Sequence, residues 1–388
     1  MTPHLLVAIS SHGFGHLAQV SPAINALQDL SCATDTAPFA LTVRSALPPG
    51  QIARRIYRPF DLDIGSDDFG MVMHNALRVD LVQSLQRYDQ LHQRWDSEVN
   101  RLAAHLQSLN VSGVLADAPY LTLAAAHVAS IPAVAICSLN WADILERCVA
   151  QDPAALKKAG MSNTRLHNIL AQIQRAYASA AAILRPEPAI QTSRFETMTI
   201  DPLVQAPPLA DRASLLVAIG AQIRSDITTD DPWIVLTSMG GIELPLDPRQ
   251  WPTSCLGRDV IYIIAGQHVP ECSHVVLLDI EQYGFSNLLA SCDAVLTKPG
   301  YGMFVEARAC GKPMLYLGRD AWPESRRLEQ WAATHTHATK LSSEQVAQGN
   351  FGSELAEILS LPALERQGFE GADQAAREIA KQLLWSSA

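Results

Sequence analysis

Leu296–Pro313 reads LTKPGYGMFVEARACGKP. An apolar strand end runs into a Pro-Gly-x-Gly turn, a short helix, a Gly stop and a Pro-led strand. Glycines let backbone N–H groups approach a ligand closely. The helix after the turn offers unpaired N–H groups and the positive end of its dipole, which suits a phosphate. Glu306 falls about one turn into that helix. A carboxylate beside a phosphate repels it unless it accepts hydrogen bonds from neutral hydroxyls, and a ribose diol is such a partner. The pattern therefore points to a nucleoside diphosphate. The same turn is also common in α/β domains, where Glu306 would only complement the dipole.

Outward from this stretch, strand and helix signals alternate along the chain. In the first half, Leu5–Ile9, Phe39–Val43, Gly113–Leu115 (ending at Asp117), Ala133–Ile136 and Ala182–Leu184 read as strands. Helical signals cover about His16–Leu30, Ala76–Leu109, Leu121–Ser130 and Ala154–Ala182. After the proline-rich Asp201–Pro208 the pattern restarts, with strands at Trp233–Thr237, Val260–Ala265, Val275–Leu278, Ala294–Thr297 and Met314–Leu317. A short helix is expected at Phe285–Ser291 and a closing amphipathic one at about Ala372–Leu384. Such alternation predicts parallel sheets covered by helices on both faces. The expected organisation is α/β with two Rossmann-like domains, 1–208 and 209–388, facing each other across a cleft. The last helix is free to pack back on the first domain.

At 388 residues and 48% hydrophobic, the chain can build two cores. Net charge is 29 − 39 = −10 with histidine neutral, which argues against a nucleic-acid partner. The seven cysteines are odd in number, form no CxxC and lie mostly in apolar runs. They read as reduced core residues of a cytoplasmic protein. The twelve histidines form no HExxH, and no metal site is expected. No run reaches the ~20 apolar residues of a membrane span, no signal peptide is read, and peripheral membrane contact stays open.

The first glycine loop, Ser10–Ala18, contains His12, Gly13, Gly15 and His16. Gly13-x-Gly15-x-x-Ala18 also matches a dinucleotide fingerprint, and Arg44 lies where an NADP enzyme would place an arginine. A reductase is thus a competing reading. Two histidines suit a phosphate turn less well, and the helix N-terminus is expected to lower the proton affinity of His16. A neutral His16 facing a cleft reads as a base. The second half has its own pair of loops, Ser238-Met239-Gly240-Gly241 and Lys298–Gly302, each at the carboxyl end of a strand.

Taken together, these motifs resemble the GT-B glycosyltransferases of UDP-sugar type, the group with the lipid-II N-acetylglucosaminyltransferase and the UDP-glucuronosyltransferases. Gly15-His16 with Pro22 beyond resembles the family's acceptor-facing loop, and Ser238–Gly241 its donor-domain glycine loop. Phe285–Asp293 resembles the helix and acidic step beside the uracil, and Gly300 through Glu306 to Pro313 the donor signature. Pro22 lies farther from His16 than the family spacing. Arg319-Asp320-Ala321-Trp322-Pro323-Glu324 lacks the family's Asp-Gln pair, so the sugar stays open. The segment from Asp117 to Asn140-Trp141, with the Arg319-Asp320-x-Trp322-Pro323 loop, also resembles uncharacterised GT-B-like proteins and the GT-B-like region fused to some sugar kinases, though no kinase half is read in the chain.

The resemblance implies an inverting transfer from a nucleoside diphosphate sugar, UDP-linked, to an acceptor hydroxyl, with no other cofactor. It implies His16 as base, oriented by Asp117. Donor contacts would come from Ser238, Gly240, Gly241, Phe285, Lys298, Gly300, Tyr301, Gly302, Glu306, Asp320 and Glu324, with Glu306 on the ribose. The acceptor would meet His12, Gly13 and Gly15. A hydrolase or epimerase of the same fold, or a binding module without chemistry, would use the same donor site.

Overall fold

The computed structural model describes residues 2–33, 38–220, 231–241, 244–264 and 269–384. Among the described residues, fourteen strands fall into two sheets. The first holds β1 (His4–Ile9), β2 (Ala40–Ser45), β3 (Asp61–Ile64), β4 (Gly113–Asp117), β5 (Ala133–Ile136), β6 (Ala182–Pro186) and β7 (Met198–Ile200). All are parallel, in the order β3-β2-β1-β4-β5-β6-β7. The second holds β8 (Trp233–Ser238), β9 (Ser254–Cys255), β10 (Arg258–Ile264), β11 (Val275–Val276), β12 (Ala294–Thr297), β13 (Met314–Leu317) and β14 (Ala338–Leu341). Its parallel path is β11-β10-β8-β12-β13-β14, and β9 pairs antiparallel with β10.

The buried strands are near-continuous apolar runs because helices cover both faces. Along β1, Leu5, Val7 and Ile9 pack into one core and Leu6 and Ala8 into another. Val235 and Leu296 likewise point away from Leu236 and Val295 in the second sheet. The two-residue period of a strand explains this division.

Each sheet reverses its strand order once, between β1 and β4 and between β8 and β12. Crevices at such reversals, beyond the carboxyl ends of the strands, are where open α/β sheets bind ligands. The register brings Ile9 beside Asp117 and Thr297 beside Ser238. Consequently the His12–His16 loop leaves its sheet next to Asp117, and the Lys298–Gly302 turn leaves its sheet next to the Ser238–Gly241 loop.

The two reversal points face each other closely. A Cβ on Gly302 would sit 2.8 Å from the Cβ of Ala18, and one on Gly241 would sit 3.1 Å from the Phe14 ring. The last helix, Gly371–Ile379, continues as a π-helical turn over Ala380–Leu384. Ile379 and Leu383 join the core that contains Leu5, Val20 and Leu27 of the first sheet and the Phe14–Ala33 helix. The expected boundary at 208 lies in the connection between β7 and β8. Ala265, expected to end a strand, lies outside the described residues. Cys137, Cys148, Cys255, Cys292 and Cys310 are buried as expected, whereas Cys32 is exposed. Among the described residues no helix is long and apolar enough to cross a membrane.

Candidate active site

A cleft of about 680 Å³ opens between the two sheets. From the second half it is lined by Ser238, Gly240, Gly241, Phe285, Lys298, Gly300, Gly302 and Glu306, and from the first by Phe14, Gly15, Gln51, Arg55 and Tyr57. The Thr297 hydroxyl donates to the carbonyl of Ser238 (2.7 Å), tying the roots of the two glycine loops together. The Tyr301–Ala309 helix has Gly300 as N-cap, no side-chain cap and no acid in its first turn. Its leading N–H groups are therefore left for an anion.

Lys298 also faces this cleft, and it forms no ion pair among the described residues. Burial lowers its pKa to about 7, helped by the charge of Arg319 and opposed by Glu324. Glu306, on the Tyr301–Ala309 helix, is not free. Arg55 of the Pro49–Arg55 helix donates from both terminal nitrogens to its two carboxylate oxygens. No sequence signal pointed to Arg55, because the partner lies 251 residues away on the other sheet's helices.

His16 does not line the cleft; it lies behind it with Asp117, Asp68, His12, Trp141 and Glu324. Its Nδ1 donates to Asp117 Oδ1 at 3.3 Å. A carboxylate only accepts, so Nδ1 carries hydrogen and Nε2 is the basic nitrogen. Burial lowers the proton affinity of His16, but the Asp117 charge and hydrogen bond, with Asp68 and Glu324, outweigh it and the pKa rises. The expectation that the helix N-terminus lowers it is therefore overturned by these acids. Burial raises the pKa of Asp117, against the pull of His16. One Asp117 oxygen, Oδ2, is buried without a hydrogen-bond partner.

His12 differs from His16. The N–H of Met71 faces its Nδ1 at 3.5 Å, its Nε2 is buried without a partner, and its ring stacks on Trp322 at 5.5 Å. Burial, then the charges of His16, Arg319 and Lys298, lower its pKa to about 3, so it stays neutral. Asn140 caps the Trp141–Gln151 helix by accepting from the N–H of Asp143 (2.9 Å). That cap sets Trp141 against both imidazoles, 5.2 Å from His12 and 5.9 Å from His16.

The loop after β13 reaches into the first half. Trp322 packs among first-sheet core residues. Glu324 accepts from the Ser138 hydroxyl (2.9 Å) and from Trp322 Nε1 (3.3 Å). Arg319 lies over the Trp322 ring at 4.1 Å; burial brings its pKa down to about 10.

Four expected assignments are corrected. Asp320 is exposed and pairs with Lys340 (2.5 Å), because the loop turns its side chain outward. The Tyr301 hydroxyl accepts from Leu203 N (2.8 Å) and donates to Glu187 O (3.1 Å), so it ties the two halves together instead of facing the cleft. Arg44 is engaged by Asp63 and Asp67 and is not free for a 2′-phosphate, which removes one of the two features that supported a reductase. Gly13 does not line the cleft. Among the described residues no group of His, Cys, Asp or Glu could hold a metal ion.

No protein-family model matches the chain. It is 22% identical over 384 residues to L-arabinokinase of Arabidopsis thaliana, covering 96% of this chain and 34% of that protein. The chain thus spans about a third of that relative's length. Among solved structures it resembles UGT89C1 of Arabidopsis thaliana complexed with UDP (15% identity, 99% of this chain and 100% of that chain, TM-score 0.57). It also resembles the spinosyn forosaminyltransferase SpnP (16% identity, 98% of this chain and 96% of that chain, TM-score 0.56). These likenesses define the architecture: two parallel α/β domains in the GT-B arrangement.

Proposed function

We propose that the chain is an inverting sugar transferase that takes a sugar from a UDP-linked donor and joins it to an acceptor hydroxyl. The observation that carries this reading is the pairing of two unlike reversal points. One holds a histidine backed by carboxylates, and the other holds a lysine and a helix N-terminus around an apolar cleft. The C-terminal half would hold the nucleotide, with Phe285 beside the base and Glu306 on the ribose, and the N-terminal half the acceptor.

In the reaction, the acceptor oxygen attacks the anomeric carbon as its proton passes to His16 Nε2. The bond from that carbon to the diphosphate breaks, and the electron pair leaves with UDP. Lys298 and the N–H groups of the Ser238–Gly241 and Gly300–Gly302 turns meet the charge that grows on the leaving group. His12 Nε2–H and Asp117 Oδ2 are a buried donor and acceptor without partners, a pair that a sugar or acceptor hydroxyl can satisfy. The reaction requires the contacts of Gly302 with Ala18 and of Gly241 with Phe14 to part, so that donor and base meet. We place it in the cytoplasm, in line with cysteines that are free.

The test is calorimetry with UDP and a panel of nucleotide sugars, followed by UDP release with and without acceptor alcohols. Acceptor-dependent release is expected. Release without acceptor would mark a hydrolase, and binding without release under any condition a non-catalytic module.

A further inference from the structure

Asp68 is a buried acid in the segment that follows β3. The segment that carries it is pinned from β2 and from the neighbouring helix. Arg44 donates from Nε and Nη2 to the two oxygens of Asp67 (2.8 and 2.9 Å) and from Nη1 to Asp63 (2.7 Å). The Thr122 hydroxyl adds a bond to Asp67 (2.7 Å). Gly65 makes room, since a Cβ there would lie 2.5 Å from the Arg44 guanidinium. With Asp67 so held, the next residue turns inward. Asp68 accepts from the Ser10 hydroxyl (3.0 Å), directly after β1, and from Trp141 Nε1 (2.7 Å). Both donors are neutral, and Asp68 forms no ion pair among the described residues. The Trp141 ring that it holds is the one against His12 and His16.

We propose that Asp68 is a positioning residue for His16: a second counter-charge that, with Asp117, holds the imidazolium formed when His16 takes the acceptor proton. This rests on the reading of His16 as base. The two acids divide the work. Asp117 bonds Nδ1 and sets the tautomer. Asp68 acts across the ring's surroundings, fixed in place by Ser10, Trp141 and the Arg44–Asp67 pair. The other groups facing His16 are Glu324 from the opposite half and neutral His12, with Lys298 and Arg319 beyond His12. Burial pushes the pKa of Asp68 to about 6, against the charge of His16 and the bonds from Trp141 and Ser10. It is therefore largely ionised at neutral pH.

The experiment is a titration of ¹³C-histidine-labelled protein by NMR, without donor or acceptor, with the His16 signal assigned by its loss in His16→Gln. In Asp68→Asn the His16 midpoint is expected to fall by at least half a pH unit, about a threefold loss of proton affinity, with the Nδ1–H tautomer retained. Asp117→Asn is expected to lower the midpoint and change the tautomer. An unmoved midpoint in folded Asp68→Asn overturns the proposal. If that variant does not fold, Ser10→Ala replaces it: losing a donor favours protonated Asp68, so the His16 midpoint falls, and an unchanged one is equally fatal. The titration reads the resting protein, so its result stands apart from the transferase reading, which fails separately if no UDP is released.

Discussion

The two reversal points share strand order and parallel register, yet their charges are opposite in kind. Beyond β1 and β4, Asp68 and Asp117 surround imidazoles and no lysine or arginine of the first half pairs with either acid among the described residues. Beyond β8 and β12, a lysine without a carboxylate partner stands beside glycine turns and a bare helix N-terminus, and Glu306 is held away by Arg55. A parallel sheet supplies only the location. Which residues crowd the crevice then decides whether it favours a moving proton or a bound anion.

Breaking the proton side should have the largest effect. His16→Ala is expected to slow transfer by about 10²–10⁴-fold, with UDP affinity unchanged in calorimetry. A near-normal rate where chemistry limits turnover would remove His16 from the reaction, and lost UDP binding would move the nucleotide to the first half.

On the anion side, Glu306→Ala is expected to weaken UDP by about 1.5–3 kcal/mol, the cost of losing hydrogen bonds to a charged group. The loss should be smaller for 2′-deoxyuridine diphosphate. Equal losses would show that the 2′-hydroxyl is not its partner.

Lys298 sharpens the contrast through pH. Its pKa of about 7 is that of the protein alone, and a diphosphate favours the charged form. UDP binding should thus take up a proton above pH 7. Above pH 7, where the diphosphate is fully ionised, affinity should fall by up to about tenfold per unit as pH rises. Calorimetry in buffers of different ionisation heat checks this, and Lys298→Gln should flatten the profile; a wild-type profile that is flat to pH 9 would contradict it.

The smallest effect concerns the ion pair between the halves. Arg55→Gln should tighten UDP binding by a few-fold, because a ribose diol would no longer have to displace a guanidinium from Glu306. Weaker binding would instead make Arg55 a direct nucleotide contact.

Much of this was legible along the chain. The Lys298–Gly302 and Ser238–Gly241 loops, His16 and Asp117 stand at strand ends, and an apolar run followed by a glycine turn announces a strand end locally. Asp320 and Tyr301 were misassigned because loop position does not tell which way a side chain points. Asp320 turns to Lys340 and Tyr301 to Leu203 and Glu187. Arg55 and Asp68 were missed as parts of the site, since neither carries a spacing signal; Trp141 and Trp322 stood in quoted motifs without a role of their own. Two adjacent acids before Phe69-Gly70 were the faint hint for Asp68.

By itself, the sequence determined what short-range physics controls. Apolar runs of strand length, glycine turns, helix starts and strand–helix alternation follow from backbone sterics and burial over a few residues. They were enough for two parallel α/β domains and for where their crevices open. Only the tertiary structure decided the charge state of those crevices. The pKa of His16 rises because acids from β4, from the segment after β3 and from the opposite half converge on it. Glu306 is occupied because an arginine from the other half reaches it. Coulomb energy depends on distance and desolvation in three dimensions, and residues far apart in sequence reach those distances only once both sheets are folded and closed on each other.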